Sequence, residues 1–440
     1  MAISRRRFLE NAAAFALVSK GLAAAAPGAS VFEASGRRAA DFLLCRRAYL
    51  DICGRLPAKE EVRSFVASTR QDKYERLVDD LLASDGFADF WSMRYCDCLR
   101  VKSEFPINLW PNAVYVYHRR IRDAAALDEP WDAFARALLG GRGSDFRVPE
   151  SNFMRAVARR SAEGLSEAAS DTFLLDASEK YARYFSRVAW KPTREWKEEI
   201  VYLKDGPADA TPEAFLAQLE GPLKAQFHAA PVKRVHWWLF GSMPAPDRLK
   251  EWTSVFEKGG LRMKPLLRHV LTSPAYRAGP IHGGFPARRL DAEVLDDAIC
   301  DLTGAKRDFQ SIAPEPFTFL PPARRSILIE DGSITSAFLL LFGRPARDSG
   351  LLEERNNAIT AKQRLYLFNS GRLWDNLGRI EREPYFRKME RREQMEDVFL
   401  RFLSRPPTKG ELFLVDKKNK LSVRELAWFL VNSREFLYRI

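Results

Sequence analysis

The chain has 440 residues, 46% of them hydrophobic and 29% charged, with a formal net charge of +12. Those proportions are globular, and the length allows two or three domains with substantial cores. Five cysteines are too few and too irregularly placed for a disulfide framework. Beyond the N-terminus no run of about 18 apolar residues offers a membrane span.

In chain order, residues 1–30 are expected to be a leader outside the fold. Ser4-Arg5-Arg6-Arg7-Phe8-Leu9 matches the twin-arginine export signal. An apolar stretch, Ala12 to Leu22, follows, and Ala23-Ala24-Ala25-Ala26 suits a small-residue cleavage site. Such a leader predicts a periplasmic or secreted protein that crosses the membrane already folded. The remaining basic pairs, such as Arg159-Arg160 and Arg324-Arg325, lie among acids, as solvated helix faces do. Nucleic acid is not an expected partner, because no recognition motif for it is present. No membrane span is expected once the leader is gone.

The rest reads as mainly α, multi-helical, with at most a small strand pair. Residues 31–205 are expected to form an N-terminal helical domain, 206–285 a helical connecting region and 286–440 a C-terminal helical domain. The first boundary rests on the Gly-, Pro- and Asp-rich stretch Lys204 to Glu213, the second on Gly279 to Pro286. Tyr74, Leu77, Val78, Leu81 and Leu82 fall on one face at helical spacing. Trp110-Pro111 starts a helix reaching about Ala126, and Asp128 to Asp132 starts another ending at Gly140-Gly141. Ile200 and Tyr202 mark one of the few strand-like alternations, and Ser326 to Ile329 another candidate. Ser422-x-x-Glu425 is a capping box for the final helix.

One helical unit occurs twice. Arg55-Leu56-Pro57-Ala58-Lys59-Glu60-Glu61 returns as Arg405-Pro406-Pro407-Thr408-Lys409-Gly410-Glu411. Each copy closes on a serine followed by an aromatic residue, Ser84 with Phe87 and Ser433 with Phe436. Ser273 with Tyr276 repeats the closing alone.

These stretches resemble two secreted, planctomycete-type domain-of-unknown-function families, 1549 at the N-terminus and 1553 at the C-terminus. The first resemblance rests on Arg46-Arg47-Ala48-Tyr49-Leu50-Asp51 through Val62, on Trp91, Asp97 and Arg100, and on Pro130-Trp131-Asp132-Ala133-Phe134. The second rests on Arg288-Arg289-Leu290-Asp291, Phe342-Gly343-Arg344-Pro345 and Ser404-Arg405-Pro406-Pro407. Many members of the first family carry a C-x-x-C-H motif that would attach haem or hold a metal. Here the corresponding stretch is Asp176-Ala177-Ser178-Glu179-Lys180, so the chain reads as a shortened, haemless member with no cofactor and no metal.

No nucleophile elbow, zinc-binding His pair or phosphate loop is present. The binding candidates are Asp97, Arg100, Arg234 and His236. Asp97 and Arg100 stand at a helical spacing that permits pairing, and His236 lies in an aromatic segment whose simplest role is structural. Three readings stay open. One is a non-catalytic binding or assembly component, acting on extracellular polymer beside other co-secreted proteins. Another is a hydrolase or lyase on anionic polysaccharide. Electron transfer is the third, disfavoured without C-x-x-C-H.

Overall fold

A computed structural model describes residues 37–277, 287–311, 320–418 and 420–439. The leader, the boundary at Gly279 to Pro286 and most of the proline-rich crossing between Pro314 and Pro322 lie outside the described residues.

The described chain is mainly helical. Its strands are short and antiparallel: β1 (Gly143–Ser144), β2 (Val188–Pro192) and β3 (Glu199–Leu203) in the order β1-β3-β2, and β4 (Arg288–Arg289) with β5 (Tyr438–Arg439). Trp190 faces Val201 across the β2–β3 pair. Ser326–Leu328 is a single 3₁₀ turn instead of the expected strand. The amides of Leu328 and Ile329 close locally on the carbonyls of Arg325 and Ser326, while Ile327 and Ile329 are buried. The expected capping box forms, with Ser422 and Glu425 each accepting the other's amide.

Two compact units emerge, both discontinuous in sequence. One gathers residues up to 78, 272–306 and 358–440; the other gathers 79–271 and 307–357.

In the first unit the repeat is visible atom by atom. The helices Arg37–Cys53 and Arg391–Leu403 end at Gly54 and Ser404, both with φ of 58°. That left-handed residue turns the chain so that the next arginine folds back onto the following helix start. Arg55 grips Glu61 through two bonds of 2.7 Å, and Arg405 grips Glu411 through two of 2.9 Å. In each copy the glutamate also accepts the N-cap amide, Ala58 at 2.6 Å and Thr408 at 2.7 Å. The arginine lies over an aromatic ring six positions earlier, Tyr49 at 4.5 Å and Phe399 at 5.7 Å. Only the second clasp gains another carboxylate, Glu435, at 2.6 and 2.7 Å. The two copies also meet within this unit: Arg46 donates to the carbonyls of Phe402, Glu435 and Phe436, and Lys59 pairs with Asp397 at 2.9 Å.

The second unit is built on aromatic packing. Trp91 meets Trp238 edge-on at 5.6 Å, and Trp131 lies among Phe134, Phe173 and Phe227. Each ring so buried contributes on the order of 1.5–3 kcal/mol. Trp91, Trp131 and Trp238 are thereby committed to the core.

Candidate functional site

All four nominated residues lie in the second unit. The helix Asp85–Cys98 ends just after Asp97, and Arg100 takes a left-handed φ of 56°. That turn breaks the helical spacing, so Asp97 and Arg100 do not pair. The Arg100 side chain is buried, donating to the carbonyls of Ala156 at 2.7 Å and Cys98 at 3.0 Å. Gly350 closes over it: a Cβ there would stand 2.7 Å from the Cys98 carbonyl and 2.8 Å from the guanidinium.

Asp97 instead sits between two distant arginines. Arg347 Nε donates to one carboxylate oxygen at 2.9 Å, and Arg355 donates to the other at 2.6 and 3.1 Å. Arg347 also donates to the Glu330 carbonyl at 2.6 Å, while the Glu330 carboxylate contacts Arg324. Burial raises the Glu330 pKa, against the pull of Arg324. His118 is buried near the same cations; burial first, then Arg347, Arg324 and Arg122, push its pKa down to about 3. It is a neutral imidazole at physiological pH.

Arg234 is buried as well, donating at 2.7 Å to each of the carbonyls of Asp171 and Thr172. The Asp171 carboxylate lies 3.6 Å from Arg234. Burial raises its pKa, opposed first by Arg234 and then by Arg100. His236 lies apart in an aromatic stack, 4.8 Å from the ring of Phe240 and 5.4 Å from Trp252, its Nδ1 2.6 Å from the Ser242 carbonyl. Burial lowers its pKa. The fold thus sets Arg234 beside the buried Asp171 carboxylate, holds Arg100 on main-chain carbonyls, fixes Asp97 between Arg347 and Arg355, and leaves His236 elsewhere.

Residues 176–180 do not fit a haem. They offer no sulfur or imidazole, and their polar groups are engaged locally: Lys180 pairs with Asp176 at 2.5 Å, and the Ser178 amide donates to Ser170 Oγ at 2.9 Å. Among the described residues no group of three or more His, Cys, Asp or Glu is placed to hold a metal ion. All five cysteines are buried. Burial pushes the thiols of Cys45 and Cys96 up to about 12, far from reactive. Among the described residues no helix is long and apolar enough to cross a membrane.

Sequence reasoning marked the strand around Ile200 and Tyr202 but passed over the tip of the β2–β3 hairpin. Its connection, residues 193–198, presents Trp196 with 65% of its surface exposed. Trp196 meets Trp110 edge-on at 4.8 Å, and the Lys197 amine lies 5.4 Å from the Trp110 ring. The available signal was a tryptophan inside a charged run, Thr193-Arg194-Glu195-Trp196-Lys197-Glu198, where a turn residue would ordinarily be small.

Residues 33–190 match the family described as Protein of unknown function (DUF1549), and residues 240–417 match Protein of unknown function (DUF1553). The chain therefore belongs with the proteins that carry these two families in that order. No curated protein and no solved structure matches it. Both matched stretches are divided between the compact units: residue 78 splits the first, and residues 271, 306 and 357 split the second. The bonds from Asp97 to Arg347 and Arg355 accordingly tie one family region to the other inside the second unit.

Proposed function

We propose that the chain is an exported, non-catalytic binding or assembly component of a secreted system acting on extracellular polymer, working beside co-secreted proteins. One observation carries this reading. The polar side chains most suggestive of a site are engaged in holding the fold: Arg100 and Arg234 on main-chain carbonyls, Asp97 between two arginines. Guanidiniums held this way in the interior position backbone, and their removal strands buried acceptors. The twin-arginine leader supports the extracellular setting.

A second reading has its own support. Asp97, Glu330, His118 and three arginines lie close together, and such an assembly of acids, cations and a neutral imidazole suits acid–base chemistry on an anionic polysaccharide. Incubating the purified mature protein with sulfated and uronate-containing glycans separates the two readings. The binding reading expects retention without new chain ends. Product release that disappears in Asp97→Asn, with folding intact by circular dichroism, would establish the enzyme instead.

A further inference from the structure

We infer that residues 434–439 lock the helix that follows the leader, so that the chain becomes fit for folded export only once those residues have been made. The inference rests on the export reading above and adds to it a check on completeness.

Only residues 31–36 separate the expected leader from the helix Arg37–Cys53. Every residue from Leu44 to Cys53 is buried, so this half of the helix is covered on all faces. A helix of this length standing alone is marginal in water, and one buried all round needs covering segments on every side. Its buried residues include Arg46, Arg47 and Asp51, at 3%, 1% and 2% exposure. Charges so deep are tolerated only when they are paired or hydrogen-bonded.

Their partners come from far along the chain. Arg46 donates to the Phe402 carbonyl at 2.8 Å and to the carbonyls of Glu435 and Phe436, each at 3.3 Å. Arg47 donates to the Tyr276 carbonyl, and Asp51 accepts from the Tyr276 hydroxyl and the Arg439 guanidinium. Two of the serine–aromatic closings, at Tyr276 and Phe436, thus end on adjacent arginines of one helix. Arg439 belongs to β5, which pairs with β4, and the Leu290 amide donates to the Leu437 carbonyl. At about 5–20 residues per second, Arg439 is made roughly 20–80 s after Cys53. Until then the helix nearest the leader lacks the partners that Glu435, Phe436 and Arg439 supply. The second unit lies wholly between residues 79 and 357, so it is made before the lock. An exporter of folded chains therefore meets an unfinished first unit beside the leader until residues 434–439 arrive.

The test expresses the full chain with its own leader in a bacterium that has the twin-arginine route, and reads the exported fraction. Amide hydrogen exchange is read on the same chains produced without residues 1–30. Deleting residues 434–440 should lower the exported fraction about tenfold, and Arg46→Met, at full length, severalfold. In both, amides at 44–53 should lose protection while those of the helix Asp85–Cys98 keep it. Arg434→Gln, on the exposed side of the same segment, should change neither readout. Export of the deletion and of Arg46→Met at the wild-type level, or protection kept at 44–53 in both, would overturn the lock. Protection lost equally across Asp85–Cys98 in Arg46→Met would make the effect general unfolding and overturn it too. Wild-type export that survives Arg5→Lys with Arg6→Lys would overturn the export reading instead, and the check with it.

Discussion

Arg55 and Arg405 occupy the same place in two copies of one motif, and the difference between them separates local geometry from energetic weight. Both follow a left-handed residue, both grip a glutamate six positions on, and both lie over an aromatic ring. Yet the Arg55 and Glu61 side chains are 33% and 32% exposed, against 7% and 14% for Arg405 and Glu411. Arg405 also holds Glu435, where the first copy has Gly86. The motif builds the clasp; burial and a second carboxylate decide how much stability depends on it.

The comparison is broken most severely at its buried end. Arg405→Ala leaves the half-buried carboxylates of Glu411 and Glu435 without their shared ion-pair partner, and should cost about 3 kcal/mol in urea unfolding. A cost below about 1 kcal/mol would mean the burial has no energetic consequence. Arg234→Met probes another interior guanidinium; stranding the Asp171 and Thr172 carbonyls should cost about 1–3 kcal/mol.

Acid sharpens the contrast through His118. Its folded pKa, about 3, lies below the ordinary 6.5, so protons favour the unfolded chain. Its stabilising contribution is complete above pH 6.5 and lost as pH falls toward 3, at up to about 1.4 kcal/mol per pH unit. Glu411, held low by Arg405 against its burial, works in the same direction below its ordinary 4.5. His118→Gln should flatten the decline of the urea midpoint between pH 6 and pH 5; an unchanged slope would place the titration elsewhere. At the exposed end, Arg55→Ala should cost no more than about 1 kcal/mol.

The repeat was legible because its residues sit within one helix start, where Arg, Pro and Glu act over a few positions. Helix class, the capping box at Ser422 and the strand around Ile200 were legible for the same local reason. The partners of Asp97 were not, because Arg347 and Arg355 follow it by some 250 residues and reach it only through tertiary folding. The same holds for Glu435 beside Arg405. Ser326 to Ile329 carries a strand's apolar pattern, yet nothing in the stretch itself says whether a neighbouring strand exists to pair with it. Trp196 escaped notice because tryptophans usually fill cores, as Trp91 and Trp131 do here.

Urea unfolding of wild type, Arg55→Ala and Arg405→Ala, side by side at neutral pH, measures the central claim directly. Arg405→Ala should lose at least about 2 kcal/mol more than Arg55→Ala. Equal losses in the two variants would contradict the claim that burial and the second carboxylate, and not the shared motif, decide how much stability the clasp carries.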